Sequence, residues 1–216
     1  MKLLLMAFLI GIFSLAFCAT GYAEIFQGVN YKIIEKSSLK NIKYSVEIEL
    51  SKKVSEQYLR SLALQIQKKA PQEFERIFIL YYLPGMTPGA GAWATSHFNP
   101  NLEVKILGLT IGEEEVLKSQ PNNVSNNVIG EWIDETPYIA GKYTFLKRNG
   151  KILMVIKFKD GSTLEREMLQ FERSGNLAYR EQGDNDFGEY YVIESNGNLS
   201  AYDNEGFRTI MSQVKK

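Results

Sequence analysis

His97 is the only histidine of the chain, so serine–histidine catalysis or imidazole-based metal binding must run through it or be absent. One imidazole cannot build the multi-histidine site usual for catalytic zinc. By strand alternation Gly91, Trp93, Thr95 and His97 share one face, while Ala92, Ala94, Ser96 and Phe98 share the other. Ser96 and His97 therefore point apart, which weakens a local nucleophile–base pair. The plain role for His97 is a hydrogen-bonded strand residue. The sharper one is a binding face of Trp93, Thr95 and His97 beside Met86, whose loop Pro84-Gly-Met-Thr-Pro-Gly-Ala-Gly91 is held rigid by its prolines.

Carboxylates are the other candidates. Glu165 and Glu167 share a strand face, and paired carboxylates can cleave glycosides when a cleft encloses them. Asp184-Asn-Asp186 with Gly188 resembles a calcium loop, but lacks a third ligand before the glycine and the distal glutamate. Asp203-Asn-Glu-Gly206 reads as turn chemistry and Glu113-Glu-Glu115 as a solvated face. No phosphate loop, dinucleotide fingerprint or nucleophile elbow occurs. No catalytic residue, metal or cofactor is expected from this inventory.

Two kinds of pattern must position these residues. In the first half, Val29 to Glu35 and Lys43 to Leu50 read as paired strands, the second with Tyr44, Val46, Ile48 and Leu50 on one face. From Ser55 the period becomes helical, with Ser55 as N-cap and Pro71 past the end. Arg76 to Leu83 is an apolar run of strand length, expected to be buried on both sides. Ala92 to Phe98 and Leu102 to Leu107 follow as strands.

The second half carries turn dipeptides at short intervals: Asn149-Gly150, Asp160-Gly161, Ser174-Gly175, Gly183-Asp184, Asn196-Gly197 and Glu205-Gly206. Runs rich in aromatic and β-branched residues lie between them, which predicts an antiparallel meander curling into a small barrel or half-barrel. The expected fold class is an α+β N-terminal module of two strands, one helix and two to three strands, followed by an all-β antiparallel meander or half-barrel.

Gly130-Glu-Trp132 opens the second half. It resembles the Gly-x-Trp of lipocalins, and the resemblance implies a barrel plugged by Trp132 and a binding rather than catalytic role. Tyr82-Leu-Pro-Gly-Met86 and Gly91-Ala-Trp-Ala-Thr-Ser-His97 are similar to a set of small exported bacterial proteins, over Val29 to Leu109, and imply no reaction.

Compartment is written at the N-terminus. Lys2 precedes an uncharged apolar run from Leu3 to Phe17, then small residues Gly21 and Ala23. This order is that of a secretory signal peptide, cleaved after Ala23, too short to span a bilayer as a helix. Leu15-Ala16-Phe17-Cys18 resembles the bacterial lipoprotein box, but bulky Phe17 stands where that box has a small residue, so a lipid anchor at Cys18 is the lesser alternative. Removing residues 1–23 from the 216-residue chain leaves 193 residues without cysteine, with 24 basic groups facing 25 acidic ones. Thiol chemistry and disulfides then disappear, and the balanced, dispersed charge argues against nucleic acid and anionic lipid.

The polar segment 118–127, with Pro121 and four asparagines, reads as a linker between domains 24–117 and 128–216. The expectation is an exported, periplasmic or secreted, non-enzymatic protein of two domains that binds a protein or envelope component. One alternative is a cell-envelope hydrolase centred on His97 or a carboxylate pair. Another is a carrier of a small apolar ligand in the meander, which fails if Phe145, Ile156, Leu169 and Tyr191 fill its interior.

Overall fold

The computed structural model describes residues 23–39, 42–71, 74, 76–120, 127–137, 139–183 and 186–215. The expected leader, apart from Ala23, lies outside the described residues, as do the linker residues 121–126. Among the described residues the chain forms fourteen strands and two helices, in a mixed sheet followed by a closed barrel.

The first sheet runs in the order β1 (Ala23–Phe26), β2 (Val29–Leu39), β3 (Lys43–Leu50), β4 (Ile77–Tyr82), β5 (Ala94–Phe98) and β6 (Leu102–Ile106). All neighbours are antiparallel except β3 and β4, which are parallel. Their parallel pairing requires a crossover, and helix α1 (Glu56–Lys69) supplies it. Ser55 caps α1 by accepting from the Tyr58 amide at 3.2 Å. Tyr58, Leu59, Leu62, Ala63 and Ile66 turn one stripe of α1 into the core. Val46, Ile48, Ile79, Tyr81 and Phe98 meet that stripe from the sheet.

Several expectations need correction here. β1, a strand the sequence reading did not name, begins at Ala23, and Tyr58 fastens it by donating to the Phe26 carbonyl at 2.9 Å. β2 continues beyond Glu35, where its strand was expected to end, to Leu39, because Ser37 and Ser38 can pair with Ser45 and Tyr44 while their polar side chains stay exposed. From Ile77 to Tyr81, β4 alternates between buried and half-buried residues instead of being buried on both sides, since α1 covers only one face; Tyr82 at its end is buried as well. The strand read as Ala92 to Phe98 begins at Ala94, so strand alternation does not govern Trp93.

Helix α2 (Ile111–Ser119) was not expected, and the reading of Glu113-Glu-Glu115 as mere solvated surface misses its cause. Thr110 and Glu113 form a capping box: the Glu113 amide donates to the Thr110 hydroxyl at 3.2 Å, and the Thr110 amide to Glu113 at 2.7 Å. The boundary expected after residue 117 therefore falls inside a helix. Leu117 packs with Leu109, Ile133 and Ala140, which lays α2 on the outside of the barrel.

The barrel is formed by β7 (Val128–Asp134), β8 (Gly141–Arg148), β9 (Lys151–Phe158), β10 (Thr163–Arg173), β11 (Asn176–Glu181), β12 (Tyr190–Ile193), β13 (Leu199–Asp203) and β14 (Gly206–Gln213). Each pairs antiparallel with the next, and β14 returns to β7 through Ser212 against Ile133 and Gln213 against Trp132. The sheet is thus a closed eight-stranded barrel, not an open half-barrel. Closure pairs the two strand edges that an open meander would leave exposed. Asn149 and Gly150 both take positive φ, 52° and 76°, the conformation a two-residue hairpin needs.

Candidate functional site

Alternation decides what each strand presents to the barrel interior. β7 turns Trp132 and Asp134 inward, β8 Tyr143 and Phe145, and β9 Met154 and Ile156, as the pairings Trp132–Tyr143–Ile156 and Phe145–Met154 require. At the end where β7 begins, Trp132 packs edge-on against Phe145, with centroids 5.7 Å apart, and donates its indole N–H to the Gly197 carbonyl at 2.8 Å. Phe145 also meets Tyr179 at 4.9 Å. Aromatic rings fill this end.

The other end is different. Here a cavity of about 340 Å³ is walled by Tyr143, Tyr191, Met211, Ala201 and Asp134, and it lies near a second lobe of about 260 Å³ bounded by Tyr143, Ile156, Leu164 and Tyr191. Volumes of this order suit a small organic molecule. Of the four residues whose packing would close the interior, Phe145 and Ile156 are buried, whereas Tyr191 is a cavity wall. Leu169 is 40% exposed, because Met168 takes the inward position on β10 and alternation sends Leu169 out.

Asp134 is fully buried at this open end, with 0% exposure. Its Oδ1 accepts from the Thr136 amide at 2.8 Å, while its Oδ2 has no partner among the described residues. Burial pushes the carboxyl above the usual aspartate range, against the opposing pull of Thr136 and the Tyr143 hydroxyl. Burial likewise pushes the Tyr143 hydroxyl well up, with Asp134 and Tyr191 adding to it. Tyr191 is raised by burial and by the charges of Glu189, Asp134 and Glu181. Both phenols are therefore neutral at ordinary pH.

The Gly/Pro loop after β4 reaches this same mouth. Ala90 lines the cavity. Gly85 lies against β14, so close that a Cβ there would stand 2.5 Å from Cγ2 of Ile210. Within the loop, Met86 donates its amide to the Leu83 carbonyl at 3.1 Å, and Gly89 donates to the Tyr82 hydroxyl at 3.2 Å. An ionic joint also ties the sheet and α2 to the barrel mouth. Lys53 bridges Glu114 at 2.6 Å and Glu135 at 2.5 Å. Burial dominates at Glu135 and, with Glu114 nearby, pushes its carboxyl up to about 7 despite the Lys53 ammonium. At Glu114 burial is outweighed by Lys118 and Lys53, and its carboxyl is lowered.

The residues expected to form a binding face do not come together. Trp93 is fully buried and donates its indole N–H to the Leu109 carbonyl at 2.9 Å. It lies outside the ladder, where its own carbonyl accepts from Leu107 and Gly108, so alternation misplaces it. Met86 is half-buried against the core of the first sheet. Only Thr95 and His97 share a half-exposed face. His97 stacks on Phe78 with centroids 5.2 Å apart and stands 3.5 Å from Glu103. Ser96 points to the buried side, where the Tyr81 hydroxyl donates to it at 3.1 Å.

Glu165 pairs with Arg148, and Glu167 with Lys151 at 2.6 Å, so neither carboxylate faces a cleft. Asp184 and Asn185 lie outside the described residues. Among the described residues there is no group of three metal-ligating side chains and no helix long and apolar enough to cross a membrane. Reading the chain residue by residue missed Asp134 and Tyr143, and placed Tyr191 only among residues that could fill the interior. The available signal was an acidic residue at an inward position, two after Trp132. No protein-family model matches the chain, and no curated protein or solved structure matches it.

Proposed function

We propose that this chain is an exported, non-enzymatic binding protein of the bacterial cell envelope, and that its barrel mouth holds a small, partly apolar ligand. One observation carries the reading: the barrel interior is filled by rings at one end and leaves a cavity of about 340 Å³ at the other. Closure by hydrogen-bonded strands makes such a cavity preformed, so binding costs little ordering. The consecutive strand order and the packing of Trp132 beside Gly130 support a lipocalin-like barrel. The apolar run before Ala23 supports export.

The hydrolase alternative finds less support. His97 engages Phe78 and Glu103 on the outer sheet face, and the Glu165 and Glu167 carboxylates are each held by a cation. Neither arrangement encloses a substrate.

The test uses N-phenyl-1-naphthylamine, an uncharged probe that fluoresces in apolar surroundings. Saturable fluorescence is expected with the wild-type chain, and its loss with Ala201→Phe, which fills the cavity wall. No saturable signal, or a signal indifferent to that substitution, overturns the reading.

A further inference from the structure

Asp134 stands in the wall of the cavity. Its carboxyl is fully buried and lines the cavity, yet Oδ2 meets no donor among the described residues. A buried carboxyl oxygen without a partner is costly to keep. A ligand group that donates to Oδ2 would remove that cost.

The surrounding charge points the same way. Asp134, Glu181, Glu189 and Asp203 line the two lobes, against Arg166 and Arg208. Arg166 is engaged by Glu181 at 3.0 Å, and Arg208 by both Asp203 and Glu205. Both guanidinium groups are thus answered by carboxylates and are not left to pair with Asp134. The rings of Tyr143 and Tyr191, with centroids 6.3 Å apart, form an aromatic wall beside Asp134. Such faces attract an organic cation as well as an apolar body.

We infer that the barrel mouth selects a small organic amine, whose ammonium donates to Asp134 Oδ2 while its apolar part lies against Tyr143 and Tyr191. The inference rests on the barrel mouth being a ligand site. It assigns Asp134 the role of the selecting residue, with Glu189 and Glu181 as outer contributors to the field.

Calorimetric titration of the chain with 2-phenylethylamine, 2-phenylethanol and phenylacetate tests it. The amine is expected to bind about tenfold or more tighter than the alcohol, the scale of one charge-assisted hydrogen bond, and phenylacetate weakest. Asp134→Asn should erase the preference for the amine while leaving the alcohol's affinity unchanged, with circular dichroism confirming the fold. Should that variant fail to fold, Glu189→Gln serves, with a few-fold loss expected for the amine alone. Equal affinity for amine and alcohol, or tightest binding of phenylacetate, overturns the inference while leaving the cavity a ligand site. Binding of none of the three, together with no saturable N-phenyl-1-naphthylamine signal, overturns both.

Discussion

The indole of Trp132 lies across the backbone of Gly130, leaving no room for a Cβ at that position. Residues two apart on a strand share a face, so the glycine is the floor on which the tryptophan lies. Ring and floor together close one end of the barrel, and the cavity forms at the other.

Gly130→Ala should therefore force the indole out of its place. A loss of about 1–3 kcal/mol is expected, as for overpacking in a dense core. Urea unfolding would show it as a lower midpoint at unchanged slope, and the near-ultraviolet dichroism of Trp132 should weaken in parallel.

The ionic joint makes stability depend on pH. Glu135 is raised by burial to about 7 from a reference of 4.5, so over that interval the folded state holds a proton that the unfolded state has released. Stability contributed by this group is complete at the acidic end and declines as pH rises through the interval, by at most about 3 kcal/mol. Asp134, also raised, acts with the same sign. Glu135→Gln should flatten the profile, and equal steepness in both proteins would remove Glu135 as the cause.

Lys53→Met leaves Glu114 and Glu135 without their shared ammonium. Removing one partner of a largely buried pair costs about 3–5 kcal/mol. Because Glu135 can answer by taking up a proton, the loss should be larger at pH 8 than at pH 5. Thermal melts at the two values measure the difference.

Gly85 takes a φ of 89° and touches Ile210. Gly85→Ala combines backbone strain with a clash, and about 1–3 kcal/mol should be lost. Limited proteolysis should find the loop 84–91 cut faster in the variant, as the loop lifts from the barrel mouth. An unchanged cleavage rate would show that the contact does not hold the loop.

His97→Ala should cost under about 1 kcal/mol, since the side chain is half-exposed and its contacts are the stack on Phe78 and the 3.5 Å approach to the exposed Glu103. It should leave N-phenyl-1-naphthylamine binding untouched. A loss of probe binding in this variant would tie the first sheet's outer face to the ligand site.

Much of the fold could be read from local chemistry. Ser55 announces α1, Asn149-Gly150 announces a hairpin, and Thr110 with Glu113 announces α2 to a reader who looks for the reciprocal cap. These signals act between residues a few positions apart, which is why they survive in a string of letters. Trp93 shows the limit: one residue before the ladder begins, its burial follows from Leu109 and the neighbouring turn, and no periodicity reports it.

The sequence by itself determined the alternating strands, the helix caps, the turn positions and the meagre inventory of one histidine. Tertiary structure alone decided that the meander closes, because closure pairs Gln213 with Trp132 across some eighty intervening residues. It also decided which inward side chains meet: rings at one end, and Asp134 beside Tyr143 and Tyr191 at the other. Local propensity acts along a strand, whereas a cavity is the volume that side chains from many strands fail to fill.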